Sequence, residues 1–355
     1  MEPKRLALTY SQPSERNAHA TFRPGPGLFP PVPVHPGLPP TLTVVVDTEE
    51  EFDWSGPFDS ANVSVANVAE QHLAQAIFRA HGVVPTYVVD YPVAASQAAV
   101  AALRAFADAG ECQIGAHLHP WVTPPAAQPV DSRHSYPGNL APADERAKLT
   151  VLTDTITEAF GNRPIVYKAG RYGLGPATAA TLRALGYRVD VSLAPYTNFS
   201  ADGGPDFSVI RESPVRLGPG ILGLPLSVGF AGSLAPYAAA LYPATAGRVA
   251  MALRLPGVAA RLGLIERMRL SPEEHSCTDM LRQVRSGLDA GIRLFMLTYH
   301  SSSLLPGATP YVRDIAERAK MLQTLDRFLG VFLGELGGQA STVAALAEQI
   351  ERASA

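Results

Sequence analysis

The sequence predicts an α/β fold with a mainly parallel sheet, closed or curled into a barrel, and three observations predict it. Short β-branched runs alternate with segments of helical periodicity from about residue 42 onward. Several helical segments stop at a glycine, the residue that most easily takes the left-handed cap conformation. The chemically capable side chains sit just past strand ends, where parallel β/α folds gather their ligands. Repeated strand–helix units of this length imply right-handed crossovers. A cluster of polar strand-end loops favours a barrel over an open sheet.

Residues 1–40 are dense in proline and predict an extended, disordered arm or linker. The first strand is Leu42 to Val46, ending in the acidic run DTEEEFDW. A helix follows over SVANVAEQHLAQAIFRAHG, with Val65, Val68, Leu73, Ala76 and Ile77 at helical spacing, Ser64 as its cap and Gly82 as its stop. VVPTYVV is a second strand, Gln97 to Ala109 a second helix stopped by Gly110, and ECQIGA a third strand running into HLHPW. A long helix from about Ala143 to Phe160 closes at Gly161, before the strand IVYKA and the loop GRYGLG. Pro176 starts the next helix at its first position. Strands at YRVDVSL and near GILGLPL, a helix from about Ser276 to Ala290 stopped by Gly291, the strand RLFMLTYH and two helices complete the chain. The predicted divisions are an arm over 1–40, a β/α barrel over 41–335 and a C-terminal helix over 336–355. Residues 217–270 form a small, partly helical apolar insertion or lid.

Composition narrows the function. The 355 residues are 46% hydrophobic and 17% charged, with a net charge of −3, so a large core is available and no excess of Lys and Arg marks a nucleic-acid groove. Two cysteines, Cys112 and Cys277, are too few for a disulfide scaffold or a Cys-rich zinc module, leaving any metal to His and carboxylates. The N-terminus lacks an apolar core long enough for a signal peptide, which points to a cytoplasmic protein. Leu217 to Gly247 carries no charge, but Pro225, Pro236 and Pro243 would break a membrane-spanning helix, so no span is expected. Oligomeric state leaves no mark on the sequence.

Along an extended VVVDTEEEF, Asp47, Glu49 and Glu51 share one face and Glu50 points to the other. Converging carboxylates of this kind bind a cation, act as base and ligand, or serve a glycosidase as acid and nucleophile. A bare acidic run is usually a solvated turn, but one placed directly after a buried strand needs a compensating cation. HLH puts His117 and His119 on one face, within reach of a single metal. With the carboxylates they make a donor set suited to Zn, Fe, Co, Ni or Mn. His300, at the end of the last strand, can carry a proton to a leaving group. His19, His35, His72, His81, His134 and His275 have no comparable partners and receive no role. GRYGLG has the glycine order GxxGxG rather than GxGxxG and speaks against a nucleotide, whereas Lys168 and Arg171 can hold Asp47 ionised. Trp54, Trp121, Tyr136 and Tyr172 lie in strand-end loops and can stack on sugar faces, although packing explains such aromatics as readily.

VVVDTEEEFDW, IGAHLHPW, YKAGRYG, RVDVSLAPY and FMLTYHSSS follow one another between about Leu42 and Pro310. Together they resemble the five motifs of the polysaccharide deacetylase family with the NodB-type domain, carbohydrate esterase family four, and most closely its WalW-like branch. The resemblance implies a distorted β/α barrel of about seven strands. It also implies metal-dependent hydrolysis of an amide C–N bond, an N-acetyl group on a sugar or polysaccharide. By the same resemblance Asp47 is the general base, Glu49, His117 and His119 hold a divalent metal with zinc first in expectation, and His300 is the general acid. Lys168, Arg171 and Asp190 would tune the acid and base. Many family members have two adjacent aspartates and a wider histidine spacing where this chain has DTE and HLH. Three other readings stand beside this one: an amidohydrolase for small or cyclic amides, a carboxylate glycosidase, and a carbohydrate-binding relative without catalysis.

Overall fold

The computed structural model describes residues 21–125, 130–234, 237, 238, 242 and 255–354. Eleven strands are formed among them: β1 (Thr41–Thr48), β2 (Thr86–Val89), β3 (Gln113–Leu118), β4 (Val166–Ala169), β5 (Val189–Asp190), β6 (Val215–Gly218), β7 (Ile221–Gly223), β8 (Val228–Ala231), β9 (Glu266–Arg269), β10 (Leu294–His300) and β11 (Gln339–Ala340). The main sheet runs β10-β1-β2-β3-β4-β5-β7-β6, parallel except for the β6–β7 pair, with β11 beside the start of β1. No pairing between described residues joins β6 to β10, so the nine-stranded sheet, eight strands in one path with β11 beside it, is a curled half-barrel close to the expected count of about seven. Near the open edge Met296 N donates to Ser227 Oγ (2.8 Å) and Thr298 N to Leu270 O (3.0 Å). These bonds seat the base of the antiparallel β8–β9 ribbon against β10.

All eight residues of β1 are buried, because helices cover one face of the sheet and the barrel interior fills the other. This is the reason β1 reads as a continuous apolar run. The outer layer is formed by helices over Gln71–Ala80, Gln97–Asp108, Pro142–Phe160, Thr178–Ala184, Cys277–Asp289, Ile315–Gly334 and Val343–Ser354. The glycine stops fall where the sequence puts them: Gly82, Gly110, Gly161 and Gly291 all have positive φ. Ser276 forms a full capping box with Asp279.

Two local expectations fail for identifiable reasons. Ser64 does not cap a helix; its hydroxyl donates to Glu51 Oε2 (2.6 Å), and a 3-10 turn over Ala66–Glu70 precedes the α-helix. Pro176 lies before the Thr178–Ala184 helix rather than at its first position, because Thr178 Oγ1 is drawn into bonds with Gly175 N and Glu145.

The proline-rich segment is extended, but over residues 21–40 it is seated on the barrel. Phe29, Val32 and Leu38 are buried, Val32 N donates to Pro214 O (2.8 Å), and Pro31 bridges Val215. Residues 1–20 lie outside the described residues, as does most of 235–254 within the expected insertion. That insertion starts inside the sheet, since Ile221–Gly223 is one of its strands.

Candidate metal and acid–base centre

Parallel register assembles the site. Asp47 on β1 pairs with His300 on β10, and His117 on β3 pairs with Lys168 on β4. Paired residues of adjacent strands point to the same face, and β2 carries this phase from Asp47 through Val88 to Gly115, two residues before His117. Asp47, His117, Lys168 and His300 therefore converge on the barrel interior at the carboxyl ends of four strands. Glu49 and His119 follow just beyond β1 and β3.

Glu49 Oε2 stands 3.4 Å from both His117 Nε2 and His119 Nε2, and all three side chains are buried. Around a tetrahedral ion with bonds of about 2.0–2.1 Å, neighbouring ligand atoms are about 3.4 Å apart. The donor set thus fits a divalent cation. Its remaining nitrogens support the same reading: His117 Nδ1 donates to Lys168 O (3.0 Å) and His119 Nδ1 to Glu50 Oε2 (2.8 Å), which leaves both Nε2 lone pairs facing inward. Burial holds both imidazoles below their ordinary pKa and hence neutral, as ligands must be. Burial, reinforced by Asp47 and Asp90, raises the Glu49 pKa well above the usual carboxylate range, and Glu49 Oε1 is buried without a hydrogen-bond partner. A buried carboxylate with an orphan oxygen beside two neutral imidazoles is short of one positive charge.

Asp47 is different. Lys168 Nζ donates to both its oxygens at 2.6 Å. Burial alone would raise its pKa, but Lys168 and the protonated His300 outweigh that and hold it at about 2. His300 Nε2 faces Asp47 Oδ2 at 3.8 Å, while its Nδ1 lies 3.1 and 3.2 Å from the two oxygens of Glu273. Burial works against protonation of His300, yet Glu273, with Glu49 and Asp47, lifts its pKa above the ordinary value. Glu273 also accepts from His300 N (2.9 Å) and Ser303 Oγ (2.5 Å).

The other sequence candidates lie elsewhere. Arg171 does not reach Asp47: at φ 52° it turns toward Ser132, Ser135 and Asp202 and lies over the rings of Phe58 and Tyr136. Asp190 pairs with Tyr167, one place out of phase with Lys168, and so occupies the opposite face of the sheet. There it accepts from Ser192 N (2.8 Å) and Ser192 Oγ (3.0 Å). Trp121 is buried rather than presented to a ligand; it stacks on His119 (4.2 Å) and donates to Glu50 Oε1 (2.6 Å). Tyr136 is also buried, under Arg171. Trp54 and Tyr172 do border the site. Trp54 meets His300 edge-on (5.0 Å), and Tyr172 lies under Lys168 Nζ (5.3 Å) with its hydroxyl accepting from Arg269 (2.6 Å). Glu51 leaves the shared face to bind Ser64 and Asn67.

Sequence alternation misses three supporting acids. Glu50 points away from the Asp47 face yet holds His119 from behind, and Asp90 receives Glu50 N (2.7 Å). Glu273 sits in the loop after β9, where its place just past a strand end was the available signal. Gly170 is a packing requirement: a Cβ there would lie 2.5 Å from His119 Cδ2 and 2.5 Å from Leu118 O.

No protein-family profile matches the chain, and no curated protein matches its sequence. Solved structures do match by shape. A protein from Mycobacterium smegmatis described as a polysaccharide deacetylase superposes with a TM-score of 0.53 and 16% identity, over 94% of this chain and 96% of that one. Puue allantoinase superposes with a TM-score of 0.51 and 15% identity, over 95% of this chain and 98% of that one. At such identities the likeness is one of architecture, and the chain has the fold of the polysaccharide deacetylase structures that its five motifs resemble.

Proposed function

We propose that the protein is a metal-dependent hydrolase of amide C–N bonds, acting on an N-acetyl group of a sugar, with zinc held by Glu49, His117 and His119. The observation that carries the reading is the convergence of a three-donor cation site with two separately charged pairs, Lys168–Asp47 and Glu273–His300. A divalent metal bound there would polarise the amide carbonyl and acidify a water molecule. Asp47, ionised at any working pH, accepts the proton of the attacking water at a carboxylate oxygen that Lys168 keeps in place. Its low pKa makes it a weak base, sufficient only for a water that is itself acidified. His300, held protonated by Glu273 at Nδ1, delivers a proton from Nε2 to the departing amine. Trp54 and Tyr311 pack against the His300 ring, edge-on and stacked.

A second reading, hydrolysis of a small or cyclic amide, is favoured by the enclosure of the site. Asp47, Glu49, His117 and His119 are all buried and Trp54 covers His300, an approach that suits a compact substrate. The fold likeness to an allantoinase supports it.

Elemental analysis of the purified protein, with parallel assays on N-acetylglucosamine oligomers and on allantoin, tests both. Acetate release that stops on chelation and returns with zinc is the expected result. Ring opening without acetate selects the second reading. Turnover untouched by EDTA rejects metal dependence and revives a carboxylate glycosidase. Sugar binding without turnover in any added metal identifies an inactive relative.

A further inference from the structure

The β8–β9 ribbon and the helix over Leu255–Arg261 carry a surface that the site does not explain. Nine large hydrophobic side chains are exposed among the described residues, and five of them fall here: Leu234, Tyr237, Val258, Leu262 and Leu264. Tyr237 and Leu262 are 65% and 67% exposed. The five are contiguous. Leu234 N donates to Leu264 O (2.9 Å), Tyr237 N to Leu234 O (3.0 Å), and Leu262 N to Val258 O (3.0 Å). Clustering on this scale marks a contact surface rather than ordinary scattered exposure.

Charge is segregated in the same stretch. Between Glu212 and Glu266 the sequence has four arginines and no Asp or Glu, in a chain whose acids outnumber its bases. Arg216, on β6, is paired with Glu351 (2.5 Å), and Arg248 and Arg254 lie outside the described residues, which leaves Arg261 as the described cation of the tip. Arg261 is exposed between Val258 and Leu262. The first acid beyond, Glu266, is paired with Arg282 (3.3 Å). Apolar side chains flanking an exposed arginine, in a stretch of sequence without acids, are the pattern of an element that lies in a lipid–water interface and favours anionic headgroups. A second copy of this chain is a poorer occupant, since a twofold contact would set arginine against arginine.

We propose that the tip carrying Leu234, Tyr237, Val258, Arg261, Leu262 and Leu264 docks on an anionic lipid surface. The ribbon leaves the sheet after β7, at the strand ends where the candidate site lies, and Arg269 of β9 binds Tyr172 beside Lys168. Docking would therefore bring the mouth of the barrel close to the bilayer. No helix of the described residues is long and apolar enough to cross it, so the contact is peripheral.

Co-sedimentation of the full chain with vesicles tests this independently of any hydrolytic activity. The wild type should pellet with vesicles of phosphatidylcholine and phosphatidylglycerol in equal parts, much less with phosphatidylcholine alone, and be released by high salt. Tyr237→Asp combined with Leu262→Asp should weaken vesicle binding by at least tenfold, and Arg261→Glu on the order of tenfold, with melting curves confirming that both variants fold. Failure of the wild type to pellet, or undiminished binding by the double variant, overturns the proposal. So does a dimer in sedimentation velocity that the double variant breaks while vesicles bind neither form.

Discussion

Glu50→Gln is the sharpest test of how the cation site is built, because the two side chains that flank Glu50 both donate to it. Trp121 Nε1 reaches Oε1 at 2.6 Å and His119 Nδ1 reaches Oε2 at 2.8 Å. A carboxylate accepts both; an amide of the same size accepts one and presents N–H to the other. If the amide oxygen turns to Trp121, the His119 ring must shift its proton from Nδ1 to Nε2 to accept from the amide. The lone pair needed opposite Glu49 and His117 is then lost. If the oxygen turns to His119, the buried Trp121 N–H loses its partner, at a cost of about 1–3 kcal/mol of stability. Outer partners of ligating histidines typically contribute about 10–100-fold in metal affinity, or roughly 1.4–2.8 kcal/mol. Chelator competition with the zinc-loaded protein should therefore show affinity lower by that factor, and nitrogen NMR of His119 should show the proton moved. Trp121→Phe is the control, since it removes one donor and leaves the Glu50–His119 bond; its affinity should stay within about threefold of wild type. Unchanged affinity in Glu50→Gln, with the His119 tautomer unmoved, refutes the account.

Two further outcomes follow from the same geometry. Asp47→Asn should lower turnover by roughly 10²–10⁴-fold while chelator competition shows metal binding largely intact, and undiminished hydrolysis would reject Asp47 as the proton acceptor. On the far face of the sheet, burial pushes the carboxyls of Asp190 and Glu145 up from 3.8 and 4.5 to about 7. The native state then keeps protons that the unfolded chain releases earlier, so this stabilisation is whole below about pH 4 and is lost as the pH climbs through about 7. The loss amounts to a few kcal/mol in order of magnitude. Urea midpoints measured from about pH 5 to 8 should fall with rising pH, and Asp190→Asn should flatten that slope. A slope unchanged in the variant contradicts the assignment.

Much of the candidate site was legible because a parallel sheet imposes phase. Once β1, β3, β4 and β10 are recognised as buried strands, Asp47, His117, Lys168 and His300 are fixed at their carboxyl ends by register alone. The failures come where phase gives out or points the other way. Glu50 is past the last residue of β1, and alternation turns it away from the Asp47 face but says nothing of the ring it supports from behind. Arg171 stands in a left-handed backbone conformation that no pattern of residue types announces, and its guanidinium follows that turn to Asp202. Asp190 has the correct strand but the wrong parity. Glu273 belongs to an irregular loop that is brought to His300 by the β8–β9 ribbon, a long-range contact with no periodicity behind it. The fold suffers less from such limits, since glycine stops and buried β-branched runs act locally.

Electrostatics explains why, on the proposed reading, cation binding and acid–base work would be separable. The Asp47 charge is neutralised by Lys168, and that of His300 by Glu273, each within the protein and each at hydrogen-bond distance. Those two pairs need nothing from outside. Glu49 has no such partner: its nearest polar neighbours are two imidazoles that burial keeps neutral, and one of its oxygens has no hydrogen bond. Ionising it in that setting costs several kcal/mol unless a cation joins the three donors. The site therefore divides into one uncompensated carboxylate that demands a cation and two compensated pairs that can pass protons beside it. Replacing a member of a compensated pair changes proton transfer and leaves the demand of Glu49 in place, which is why Asp47→Asn and Glu50→Gln should fail in opposite ways.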